Sequence, residues 1–139
     1  MESLWPNLET ISKDVPVQIL KEQADIFNRE LKGLLECKVE TSEVPLGKSY
    51  ISSIESDLTA KLVVTSPNLY NYSLVLVQVN NKISKAYPCE VINCLSEYLL
   101  SNSEIANNAG EFKHILGTIL KSDNVVTALQ NLIAQTQHL

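Results

Sequence analysis

The chain is poor in the residues that most site chemistries require. Its four glycines, Gly33, Gly47, Gly110 and Gly117, stand apart from one another, whereas a phosphate-cradling loop needs them clustered so that backbone N–H groups can approach the ligand. No Walker, dinucleotide-binding or nucleophile-elbow pattern occurs. There are two histidines. His138 falls in a tail expected to fray, which leaves His114 as the one candidate base for nucleophilic catalysis. Glu111 and His114 have the i, i+3 spacing of half a di-iron site, but such a site takes two of these pairs and further glutamates, so His114 reads as a solvated helix residue. Three cysteines are an odd number and too few for a disulfide framework. Cys89 and Cys94 are close in the chain, yet the second pair of a structural zinc site is missing. All three cysteines read as small buried hydrophobes. Glu36, Glu40 and Glu43 read as exposed charge on a strand. No catalytic, cofactor-binding or metal-ligating residue emerges, and no cofactor is expected.

Positive charge is scarce as well. The net charge is −5 and Arg29 is the single arginine. Residues 1–56 hold 10 Asp/Glu against 6 Lys/Arg, and the remainder holds 6 against 5. Neither half can neutralise a run of phosphates, so nucleic acid is not an expected partner. Long apolar runs are absent too, far short of the roughly 20 residues that span a bilayer, and residues 1–6 lack the basic and apolar regions of a signal peptide. No membrane partner is expected, and the cytoplasm is the default location. With 139 residues, 45% of them apolar, residues 1–139 read as one domain that can bury a core without staples.

What is present is patterned. Residues 1–14 mix Trp5, Leu8 and Ile11 with polar neighbours, as a short docking segment would. Pro16 suits a first helical turn, with Asp14 before it as a candidate cap. Leu20, Ala24, Phe27, Leu31 and Leu34 then follow at spacings of four and three, one stripe of a helix of about 19 residues. Residues 36–44 alternate loosely, as a half-buried strand does. Pro45-Leu46-Gly47 breaks that strand, and 49–56 is a weak strand or an ordered loop.

The segment 58–79 is the most informative. Two runs rich in β-branched and aromatic residues flank Pro67-Asn68-Leu69-Tyr70, which carries turn chemistry. With a four-residue loop, Ser66 faces Asn71, and one sheet face reads Leu58, Ala60, Leu62, Val64, Ser73, Val75, Val77 and Val79. A slip by one residue moves a whole side-chain set to the other face and would put Lys61 and Thr65 among the valines. The opposite face then reads Thr59, Lys61, Val63, Thr65, Tyr72, Leu74, Leu76 and Gln78. Asn80-Asn81 suits a tight turn into a third strand over 82–90, and Pro88, which cannot donate to a ladder, marks that strand's end as a sheet edge. Asn93 is placed to cap a helix over 94–100, and 101–110 loosens the chain. Phe112, Ile115, Leu116, Ile119 and Leu120 form a helical stripe. After Ser122-Asp123, Val125, Val126, Leu129, Leu132 and Ile133 form another.

The expected fold class is α+β: an N-terminal helix, an antiparallel meander of three to four strands, then two to three C-terminal helices packed on the sheet. Lys61, Val63, Tyr72, Leu74, Leu76 and Gln78 make up the candidate interaction face, an apolar patch with a polar rim. Either one of the chain's own helices covers it, or a partner does. The functional expectation is a non-catalytic protein-interaction module, such as an adaptor, an inhibitor or an immunity-type partner, that binds another protein or itself as a homodimer. The alternative is a small-ligand-binding or enzymatic domain with a pocket between sheet and helices near Tyr72, Tyr87, Cys89 and Cys94.

Overall fold

A computed structural model describes residues 1–8, 14–43, 56–96 and 103–138. The elements run α1 (Pro16–Glu30), β1 (Glu36–Glu43), β2 (Leu58–Ser66), β3 (Tyr72–Lys82), β4 (Lys85–Asn93), β5 (Ser103–Ala106), α2 (Ala109–Leu120) and α3 (Asp123–Gln137). The five strands form one antiparallel sheet in the order β1-β2-β3-β4-β5. The described helices pack on one face of it, so the fold is α+β with an N-terminal helix, a meander and two C-terminal helices.

Pro16 occupies the first turn of α1 as expected, but the cap is Val15, in extended backbone and without a side-chain bond. The helix stops four residues before Leu34, and the chain reverses through Gly33 at φ +87°, a region that glycine enters without steric cost. Asn28 then ties α1 to the free edge of β1. Its Nδ2 donates to the Cys37 carbonyl at 2.8 Å, and the Cys37 N–H donates to its Oδ1 at 2.7 Å, so one side chain satisfies backbone groups that an edge strand leaves unpaired.

The β2–β3 hairpin differs from the sequence reading in register. Ser66 pairs with Tyr72, not Asn71, because Tyr70 and Asn71 both adopt φ +57° and lengthen the turn by one residue. Val63 pairs with Val75 and Leu62 with Val77, which leaves Leu76 as the extra residue of a β-bulge. The result reverses the expected assignment for the first half of β3. Leu74 and Leu76 join Ala60, Leu62, Val64, Val77 and Val79 in the helix-covered core, while Val75 sits opposite Val63 on the other face. Beyond the bulge the expected faces hold, with Val77 and Val79 inside.

The next turn also lies further on than Asn80-Asn81. Lys82 pairs with Lys85, so Ile83 and Ser84 make the turn, and both asparagines are buried within β3. β4 is an inner strand, and Pro88 marks no sheet edge. Pro88 falls in the irregular stretch of the β3–β4 ladder between the Lys82–Lys85 and Asn80–Glu90 pairs, and before the first pair with β5, Cys89 with Ala106, so no ladder pair involves it. Asn93 ends β4 and accepts from the Leu95 N–H at 3.1 Å. Cys94 and Leu95 form a turn where the helix expected over 94–100 would start, and 97–100 lie outside the described residues. The stretch expected to be loose contributes β5 and the start of α2. Strand and turn expectations within 44–55 also fall outside the described residues.

The two C-terminal stripes pack as expected, apart from Val126. Phe112, Val125, Ile115, Leu116, Ile119 and Leu132 are buried, and Val126 is exposed. Asn108 caps α2 by accepting from the Glu111 N–H at 2.9 Å. Burying a valine is worth about 1.5–3 kcal/mol, and a carboxylate in its place adds an unpaired charge. Val77→Asp should therefore cost about 4 kcal/mol or more, and Val75→Asp about 1–2 kcal/mol, by urea unfolding. Equal losses would contradict the bulge.

Candidate interaction site

The six residues of the expected interaction face do not share a face. Lys61, Val63 and Gln78 lie on the sheet side away from the helices, while Tyr72, Leu74 and Leu76 lie on the helix side. The division follows from the lengthened turn and the bulge. It separates two surfaces, and each contains something the sequence did not disclose.

On the side away from the helices, a polar network crosses three strands. Thr59 Oγ1 donates to Asn80 Oδ1 at 2.9 Å, Gln78 Nε2 donates to the same oxygen at 3.2 Å, and Asn80 Nδ2 donates to Glu90 Oε1 at 2.9 Å. Thr59, Asn80 and Glu90 are buried, so these bonds meet the requirement that buried polar groups be paired. Glu90 and Asn80 were not foreseen, since Asn80 reads as a turn residue until the pairing of β3 with β4 is known. The network's bonds are all internal and its centre is covered, so it reads as structural.

On the helix side, the β2–β3 hairpin and α3 enclose an open groove of about 530 Å³. Leu69, Tyr70, Tyr72 and Leu74 form one wall, and Ala128, Asn131, Leu132 and Gln135 form the other. The walls are tied together: buried Ser66 and Thr136 hydroxyls bond at 2.8 Å between the turn end of the hairpin and the end of α3, and Leu132 is part of the core. Tyr70 is 97% exposed and Tyr72 55%. A bulky residue at φ +57° pays about 1–3 kcal/mol in backbone strain, so the turn holds the Tyr70 ring in solvent at a cost. Among the described residues, no charged side chain lines the groove. The sequence offered Tyr72 and Leu74 for this surface. It gave no signal for the α3 wall, whose residues come from 54–66 positions further along.

The residues named for a pocket between sheet and helices do not converge. Tyr72 is at the groove, Cys89 is buried in β4, Cys94 is half-buried beside Lys61, and Tyr87 donates its hydroxyl to the Asp14 carbonyl at 2.5 Å. A cavity of about 180 Å³ does lie between sheet and helices, but Phe27, Cys37, Leu62, Leu76 and Leu129 line it along with Gln23 and Glu30. Burial pushes the Cys37 and Cys89 thiols up to about 12, and raises Cys94 against the opposing pull of Lys61. His114 and His138 are exposed. Among the described residues, no three His, Cys, Asp or Glu side chains group as metal ligands, and no helix is long and apolar enough to cross a membrane.

A thiol with a folded pKa near 12 and an unfolded one near 9 keeps its proton in the folded chain while the unfolded chain releases it. Its contribution is therefore complete below pH 9 and declines as pH rises toward 12. Stability measured by denaturant should fall over that window, and the fall should shrink in Cys37→Ala. In native chain at pH 8, alkylation followed by mass spectrometry should modify Cys94 at least about tenfold faster than Cys37 or Cys89. Compared with family models, curated proteins and solved structures, the chain matches none.

Proposed function

We propose that the chain is a non-catalytic, cytoplasmic protein-interaction module that self-associates, and that the groove between the β2–β3 hairpin and α3 is its docking surface. The observation that carries this reading is the pair of exposed tyrosines on an uncharged apolar groove, one of them held in strained backbone. Tyrosine supplies large contact area for little conformational entropy, and interface cores are rich in it and depleted of charge. Strain retained at an exposed aromatic residue is a mark of function more than of stability. The acidic balance of the chain argues for a protein partner and against nucleic acid.

A small-ligand or catalytic reading has less behind it. The thiols are buried or half-buried with raised pKa values, and reactive thiols are instead exposed and depressed. The cavity of about 180 Å³ between sheet and helices is below the about 300–1,000 Å³ of ligand clefts, and the groove, although of that volume, is open to solvent.

Sedimentation equilibrium of the purified chain should show reversible dimers. Tyr72→Glu should weaken the dimer at least about tenfold while leaving thermal stability within a few degrees, since the side chain is largely in water. Tyr70→Gly should keep or raise stability by up to ~1 kcal/mol, because glycine takes positive φ freely, and should also weaken the dimer. A strict monomer at every concentration, or dimers indifferent to both variants, would overturn the reading.

A further inference from the structure

The helices do not close over the whole sheet. α1 packs on β1 and on α2, and α2 packs on α3. Between α1 and α3 the cavity of about 180 Å³ reaches down to the strands. Buried Cys37, Leu62 and Leu76 form its floor, and Phe27, Val125 and Leu129 stand around it. The floor coincides with the β-bulge, where Leu76 has no partner across the strand. Bulges gather beside functional sites because they re-aim a side chain out of the regular alternation. None of these residues belongs to the hairpin–α3 groove.

The mouth is built differently from the floor. Gln23 and Glu30 stand about two turns apart on α1, ~10 Å along the helix, and Ile26 between them is 38% exposed. Glu30 is the one charged side chain that lines the cavity among the described residues. Burial pushes the Cys37 thiol up to about 12, so the floor carries no charge at neutral pH. The cavity is therefore apolar at depth and offers polar groups only where it opens.

Size and lining select the occupant. An apolar cavity of about 150 Å³ stays dry and binds benzene or xenon, since a water inside it would lack hydrogen-bond partners. At about 180 Å³ this one holds a single ring or two fused rings, and nothing of the size that fills an ordinary ligand cleft. Glu30 repels a carboxylate at the mouth, and with the Gln23 side-chain oxygen it accepts from an N–H or O–H.

We infer that the cavity binds one uncharged, ring-sized apolar molecule, its N–H or O–H donor turned toward Gln23 and Glu30 at the mouth. The site is separate from the docking surface proposed above, and the two stand or fall independently.

Indole is the probe. Titrated into the full-length chain, it should bind saturably at one site and raise the melting temperature with dose, as a ligand of the folded state does. Methyl resonances of Leu62, Leu76, Val125 and Leu129 should shift, while those of Leu69 and Leu74 in the groove stay in place. An indole carboxylate should bind at least about tenfold more weakly. Glu30→Gln should narrow that gap at least about threefold without altering the fold, since Glu30 is exposed. Leu129→Phe should fill the cavity and weaken indole at least about tenfold. Shifts at Leu69 and Leu74 instead, shifts that never saturate, or none up to the solubility of indole overturn the site. So does a folded Leu129→Phe chain that binds indole unchanged; if that chain unfolds, the methyl shifts of the unaltered chain decide alone. A gap that Glu30→Gln leaves untouched overturns the placement of the donor at the mouth.

Discussion

The meeting of β2 and β3 around Leu76 governs the rest of the molecule. Val63 faces Val75 and Leu62 faces Val77, so Leu76 has no partner across the strand. A regular ladder would send Leu76 and Val77 to opposite faces. With the bulge, Leu74, Leu76, Val77 and Val79 all reach the helix side, where α1, α2 and α3 need apolar surface to pack against. Without the bulge, either the leading half of β3 or its trailing half would turn its apolar side chains away from the helices. The bulge and the lengthened turn before it also carry Tyr72 and Leu74 to the wall that faces α3.

Polar side chains then lock what the apolar ones assemble. Asn28 holds α1 on the β1 edge by binding both backbone groups of Cys37. Asn80 joins β2, β3 and β4 through Thr59, Gln78 and Glu90. Ser66 and Thr136 fasten the hairpin to the last turns of α3. Each bond is worth only about a kilocalorie net, but breaking one leaves a buried group unpaired at a larger cost, so these contacts act on geometry more than on total stability. The groove inherits its fixed walls from the third of them.

The same organisation sets the chemistry at the surface. Burial removes Cys37 and Cys89 from nucleophilic use, and the two histidines are exposed. Among the described residues, exposed apolar surface lies at two tyrosines beside a groove at one end of the sheet and at Leu4, Trp5 and Leu8. Surfaces of that kind recognise proteins through shape and area, not through charge.

Much of the architecture was legible in the order of residues. The stripes at Leu20–Ala24–Phe27 and Phe112–Ile115–Leu116–Ile119 name helices, because a 3.6-residue period survives any tertiary context. The alternation in 58–66 separates the two faces of β2 correctly, and the scarcity of Gly clusters, His and Arg is a property of composition alone. Register was not legible. It turned on whether Tyr70, a poor candidate for positive φ, would enter that region, and on one unpaired leucine in a run of four apolar residues where every alternation reads alike. Asn80 and Asn81 have the chemistry of a turn, and only pairing with Leu58, Thr59 and Glu90 shows them to be strand. The candidate face was therefore named with half its members on the wrong side. Local pattern determines which residues form helices and strands, because it depends on near neighbours. Which side chains share a surface depends on partners tens of residues away, and only the folded chain brings Tyr72 against Leu132.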